Sequence, residues 1–328
     1  MTSTQTPQPP QAPPTGPGLA GGSPHGSGPD APRPTTSVEP ARRLSPAPED
    51  DRPWRLLITL LGAAFVALMV LGLAAMSITQ WTIARGYDDV PATTHLGEPS
   101  SLSLSSRIAD VRVLRSADAD QVSVALVENG ATELPPADSL VRARIDQQGP
   151  ADAPVLDVRQ PEQFSSVPWK HDVRDVLVIV PEAHRLAVDI ISSVGDIRAD
   201  GDYSAMTISS QVGEVRLSPV SAPGGLDVSS DVGGIDIELE GTAPETIGLS
   251  SSVGDIDLRL PSGAESDVDV HTDVGSADVA APGTGRWAVD ARADTGDARV
   301  DPSLTRADGP LVGTLTVVSD LGDVTVTR

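Results

Sequence analysis

The chain contains no cysteine and only eight aromatic residues, four Trp, two Tyr and two Phe, among 328 positions. Without thiols it has no disulfide, no thiolate zinc centre and no thiol nucleophile. With so few rings it has little material for a base-stacking platform or a sugar-stacking groove, and its core has to be built from Val, Ile, Leu and Ala. Basic side chains are also scarce: 23 Lys and Arg stand against 46 Asp and Glu, a formal net charge of −23. A phosphate backbone is repelled by that balance, so nucleic acid is excluded as the main partner.

What is present falls into consecutive segments. Fourteen of the 30 prolines lie in residues 1–53, among Gly, Ser, Thr and Gln with almost no large apolar side chain, a composition that cannot bury enough surface to offset ordering. The expectation is a disordered tail. Residues 54–83 form a predicted transmembrane helix: no charge occurs from Leu56 to Ile83, and the apolar run 56–78 is long enough to cross a hydrocarbon core of about 30 Å. Trp54 and Trp81 mark its ends, and Arg42, Arg43, Arg52 and Arg55 precede it while only Arg85 closely follows, which puts the N-terminus in the cytoplasm. The 53 residues ahead of it argue for an uncleaved anchor rather than a signal peptide. A linker, 84–99, leads to an extracytoplasmic region, 100–328, and residues 86–328 carry the whole acidic excess. That charge keeps the region soluble and away from anionic headgroups.

Residues 186–328 repeat. A Val-Gly-acid-Ile motif centres on Gly195, Gly213, Gly233, Gly254, Gly275, Gly296 and Gly322, spaced 18, 20, 21, 21, 21 and 26 residues apart. A period near 21 residues points to a solenoid of stacked supersecondary units. Seven and five residues before each glycine the side chain is always apolar, as at Val188 and Ile190 or Ile247 and Leu249. Three before comes Ser, Thr or Ala, and one before comes Val, Thr or Leu, continuing a period-2 face read as inward. Beyond the glycine the inward phase slips by one, to pairs such as Ile256 and Leu258, so a second strand starts there. The seven glycines are therefore structural corners, not a phosphate loop, since no Lys-Ser or dinucleotide fingerprint accompanies them. Connections on the other side vary from 6 to 14 residues and are rich in Pro and Gly. An eighth copy, with Ala109 in the glycine place, begins at Leu102, and residues 116–181 read as degenerate rungs or a capping part.

The stretch Asp175–Glu182, followed by Leu186–Ile190 and then Ser192-Ser193-Val194-Gly195-Asp196-Ile197, resembles the bacterial putative adhesin family, a domain of unknown function with glycine-aspartate β-strand repeats. The likeness spans residues 100–328. It implies an all-β fold, a right-handed parallel β-helix of about 21 residues per rung, exposed outside the cytoplasm, and it implies no catalytic residues. Ala109, Gly234 and Ser276 depart from the motif.

Stacked strands lie about 4.8 Å apart, so equivalent carboxylates of successive rungs become neighbours. Asp236, Asp257 and Asp278 fall three residues after consecutive glycines and form a candidate calcium site; otherwise they are a solvated face, with Arg198, Arg216 and Arg299 in the same column supplying pairing. Acids on nearly every rung single out no acid/base pair, and the five histidines show no metal spacing, so no enzyme activity and no cofactor beyond calcium is expected. Val324–Arg328 reads as an uncovered last strand open to self-association. The sequence thus describes a non-catalytic, single-pass, membrane-anchored protein that binds or scaffolds at the cell envelope, through an envelope polymer or a protein partner. Two alternatives stand beside it: an envelope-stress sensor that signals through the cytoplasmic tail, and a polysaccharide-active enzyme.

Overall fold

The computed structural model describes residues 52–84, 87–161 and 173–328. The expected disordered tail therefore lies outside the described residues, apart from the first positions of the helix. The chain divides into two compact units, Met1–Phe65 and Val66–Arg328. Helix α1 runs over Arg52–Ala84. Its described side chains are those of residues 56–72, all exposed. Among the described residues no helix is long and apolar enough to cross a membrane. The remainder of the 56–78 run, with Trp54 and Trp81, lies beyond the described side chains.

The rest is almost entirely β. Strands β1 (Asp88–Pro91), β2 (Thr93–Gly97), β3 (Ser101–Ile108), β4 (Val111–Ser116), β5 (Val122–Val127), β6 (Leu140–Gln148), β7 (Val155–Arg159) and β8 (Asp175–Pro181) precede the regular repeats. The repeats are strand pairs joined at the motif glycine: β9 (Ala187–Val194) with β10 (Ile197–Asp202), β11 (Ala205–Val212) with β12 (Val215–Ser221), and β13 (Leu226–Val232) with β14 (Ile235–Leu239). They continue as β15 (Thr246–Val253) with β16 (Ile256–Arg259), β17 (Asp267–Val274) with β18 (Ala277–Ala280), and β19 (Arg286–Thr295) with β20 (Ala298–Val300). After the short helix α2 (Pro302–Arg306), β21 (Leu311–Leu321) and β22 (Val324–Thr327) end the chain.

Each repeat contributes one strand to each of two eleven-stranded sheets. One sheet has the order β1-β6-β7-β3-β9-β11-β13-β15-β17-β21-β19, the other β2-β5-β8-β4-β10-β12-β14-β16-β18-β22-β20. From β3 and β4 through the regular repeats every pairing is parallel, for example Leu249↔Val270 and Ile256↔Ala277. The pairings β1–β6, β6–β7, β2–β5 and β5–β8 are antiparallel. The right-handed parallel β-helix that the resemblance implies is thus corrected to two mixed sheets. The reason is local: among the described residues of 117–186 no two-residue glycine corner joins the sheets, and β6 instead turns back on β7 near Gly149, whose φ is +85°.

Chain order is broken at both ends. β3 and β4 stack directly on β9 and β10, with Leu104↔Ile190 and Val113↔Ala199 in register, while β7 and β8 pair on the opposite side of them. At the other end β21 lies between β17 and β19, and β22 between β18 and β20. The C-terminal strand is therefore interior. The free edges among the described strands there belong to β19 and β20, which corrects the expectation of an uncovered last strand.

The core lies between the sheets and follows the inward columns. In the repeats from β9 to β18 the residues seven and five before the glycine are no more than 3 % exposed, and those two and four after it no more than 4 %. Burying each such Val, Leu or Ile contributes about 1.5–3 kcal/mol. The residue just before the glycine departs from expectation. Val194, Val212, Val232, Val253, Val274 and Leu321 are 43–51 % exposed, because the strand swings outward into the corner.

Two residues form every corner, and contact between successive corners explains the glycine. A Cβ built on Gly213 would stand 2.2 Å from the Gly195 carbonyl oxygen, and one on Gly254 2.1 Å from that of Gly233. Their φ angles, +146° and +158°, are themselves closed to ordinary side chains. Ala109 is tolerated at the last corner before β7 and β8, whose own connection contains no glycine. Gly254→Ala is expected to destabilise the fold by roughly 2–4 kcal/mol. Gly248→Ala, in the same rung but with its nearest obstacle a side-chain oxygen at 3.3 Å, is the control that stays near wild type; denaturant titration of both variants measures the difference.

Candidate functional site

The acid after the glycine has a structural task that its spacing alone does not reveal. The Asp110 carboxylate accepts the backbone N–H of Asp196 at 3.0 Å, and Asp196 accepts that of Glu214 at 3.0 Å. Asp255 likewise accepts the Ser276 N–H at 2.7 Å, and Asp323 that of Asp297 at 2.9 Å. Four corner carboxylates thus each hold a neighbouring corner. On the inner side Ser251, Thr272 and Ser319 donate their hydroxyls to the carbonyls of Gly233, Gly254 and Gly275 at 3.3, 3.0 and 2.8 Å. These are the carbonyls that face the neighbouring glycine. The buried Ser192, Ser210 and Ser230 hydroxyls have no hydrogen-bond partner.

Two residues further on, the outward column three after the glycine is sorted by charge. In spatial order it reads Arg112, Arg198, Arg216, Asp236, Asp257, Asp278, Thr325 and Arg299. Wherever an Arg stands in it, the corner residue of its own rung is acidic. Arg198 donates to Asp196 at 2.8 Å, Arg216 to Glu214 at 2.5 Å and Arg299 to Asp297 at 2.7 Å. Where Asp236 and Asp278 stand, the corner residue is Gly234 or Ser276. The departures from the motif therefore avoid placing two acids side by side on one rung. Only the rung of Asp255 and Asp257 does so.

The register sets Asp236 beside Asp257 and Asp257 beside Asp278. Partial burial pushes the Asp257 carboxyl above the ordinary carboxylate range; Asp278 and Asp236 push it the same way, and Arg259 opposes them. Arg216 reaches Asp236 at 3.5 Å, so the flank of the acidic run nearest the Arg series is paired. Adjacent backbones do not by themselves gather ligand atoms. Among the described residues, three ligand atoms within 4.8 Å of one another occur at His271, Asp273 and Asp320, all exposed, on the opposite sheet. There His271 Nε2 lies 3.0 Å from Asp273 Oδ1. The sequence reading missed this group because its members come from β17 and β21, whose paired residues are 47 apart across the out-of-order insertion.

No protein-family model matches the chain, and no curated protein does. The resemblance therefore rests on the repeat itself. Two solved structures are similar. One is a putative adhesin from Bacteroides fragilis, 14 % identical, with 73 % of this chain and 97 % of that one covered and a TM-score of 0.43. The other is a putative cell adhesion protein from Clostridium sporogenes, 10 % identical, with 73 % and 99 % covered and a TM-score of 0.31. At that distance the function of this chain has to be argued from its own residues.

Because folding raises the Asp257 pKa, the carboxylate opposes folding once it is ionised. Asp257→Asn is expected to stabilise the protein at pH 7 by roughly 0.2–1 kcal/mol. The gain should vanish below the ordinary aspartate pKa of about 3.9, where both states are protonated. Thermal unfolding at the two pH values in metal-free buffer checks this. A calcium site at Asp236, Asp257 and Asp278 requires in addition that millimolar calcium raise the melting temperature of the wild type but not of Asp257→Asn.

Proposed function

We propose that the protein is a non-catalytic, membrane-anchored, adhesin-like repeat protein that binds or scaffolds at the bacterial cell envelope, with its N-terminus cytoplasmic and its sheets outside. The observation that carries this reading is the stack of rungs. Corner-to-corner bonding fixes a long surface on which hydroxyls, carboxylates and guanidinium groups recur at strand spacing, a geometry suited to a repetitive or extended partner. Support for the anchor comes from α1, whose helical course covers Arg52–Ala84 and whose described side chains are apolar and exposed, Leu60 and Phe65 each 69 % and Leu68 70 %. Side chains of this kind suit a lipid bilayer at residues 56–78. The acidic excess of 86–328 belongs on the side away from cytoplasmic, basic-flanked sequence.

Two measurements test the proposal. Protease added outside spheroplasts that express the full chain is expected to digest the repeat region and spare a tag at Met1; protection of both ends overturns the anchored orientation. Isolated cell-wall polymer is expected to co-sediment with the detergent-solubilised chain without releasing soluble sugar. Release of oligosaccharide would make the protein an enzyme, and the absence of co-sedimentation with wall polymer or envelope protein fractions would end the binding reading.

A further inference from the structure

The two ends of the stack are finished differently. At one end the outermost strands are β1 and β2, of four and five residues, and β1 carries Asp88, Asp89 and Pro91. Short length, charge and proline are the means by which sheets discourage edge pairing. At the other end the outermost strands are β20, of three residues, and β19, which has ten without proline and is bonded to β21 along one side only among the described residues.

The terminal rung is also incompletely buried. Helix α2 seats the fully buried Leu304 in the core, and Trp287 at the start of β19 is only 4 % exposed. Beyond Trp287 the inward residues Val289, Ala291 and Ala293 are merely half-buried, whereas their counterparts on the neighbouring strand, Leu315, Val317 and Ser319, are fully buried. A free edge and an unfinished core therefore coincide along one segment.

The outward residues of that segment indicate what completes it. Asp290, Arg292 and Asp294 alternate along β19, and Arg292 donates to Asp290 within the strand at 2.6 and 3.0 Å. Let two copies of β19 meet antiparallel about a two-fold axis. Centred on Ala291, Asp290 of each copy faces Arg292 of the other and Val289 faces Ala293, so both the charges and the half-buried side chains are matched. Moving the centre to Asp290 or to Arg292 sets like charges directly opposite, which disfavours those registers. A self-complementary patch is what an isologous interface requires.

We propose that β19 is a dimerisation edge, on which a second copy of this chain pairs antiparallel about Ala291 and extends the sheet across two molecules. This goes beyond the envelope-binding reading and does not depend on it. Because pairing through backbone groups supplies affinity while side chains set the register, exchanging charges should act on dimerisation and not on the fold of one copy.

The full chain is purified in detergent and its mass followed by light scattering with the detergent contribution subtracted. The wild type is expected to be dimeric in the micromolar range. Asp290→Arg, which sets Arg against Arg292 of the other copy, should weaken the dimer roughly tenfold or more, and Asp290→Arg/Arg292→Asp should restore it. Since the chain has no cysteine, Ala291→Cys introduces the sole thiol, and mild oxidation should link it to its own counterpart across the axis. Thr316→Cys on the interior strand β21 should remain unlinked. A wild type that stays monomeric throughout, a dimer indifferent to Asp290→Arg, or equal cross-linking of the two cysteine variants overturns the proposal; recovery in the double variant excludes misfolding as the cause of loss in the single one.

Discussion

One contact underlies this structure: the carbonyl oxygen of each corner glycine points at the α-carbon of the next, in a space where a Cβ would lie only 2.0–2.2 Å away. That approach brings adjacent corners together so closely that the turn needs just two residues. It also aims the carboxylates of Asp110, Asp196, Asp255 and Asp323 at a neighbouring corner N–H and brings the hydroxyls of Ser251, Thr272 and Ser319 within reach of the same carbonyls. The spacing between strands, and with it every outward column, follows from the corners. Side chains on the faces are free to vary because the rungs are held elsewhere.

Charge is organised within that frame. A net charge of −23 is tolerated because the acids nearest the corners are either bonded to backbone or neutralised two residues later by Arg198, Arg216 or Arg299. Where the column turns acidic, the motif itself gives way, to Gly234 and Ser276. The run Asp236, Asp257 and Asp278 is thus the part of the column whose rungs bring no Arg of their own to it, and Asp257 bears the consequence in a carboxyl that is harder to ionise.

The inward columns were legible in the sequence because burial on one face of a strand writes a period of two, and Ile256, Leu258, Val268 and Val270 obey it without exception. The Val before each glycine was misread for the same reason. It continues the period, yet its strand has already begun to swing outward, and a half-exposed β-branched residue at a strand end looks like a core residue in one dimension. The order of the rungs left almost no trace. Inward side chains in every repeat are interchangeable aliphatics, so nothing in β21 names β17 rather than β19 as its neighbour. The sole hint was the 26-residue interval before Gly322, long enough for the chain to pass back across a rung. The acidic column was readable from spacing, but the grouping of His271 with Asp320 depended on that unreadable order.

The insertion of β21 and β22 has a consequence for how the molecule comes into being. A chain emerging N-terminus first can add β11 through β18 one rung at a time, each on a finished template. β19 and β20 have no such template when they appear, since the strands they pair with follow them in the chain. This rung therefore cannot form by simple accretion. β21 and β22 must enter a place between a completed wall and a waiting strand pair, so this end of the stack closes only once residues 311–327 have been delivered.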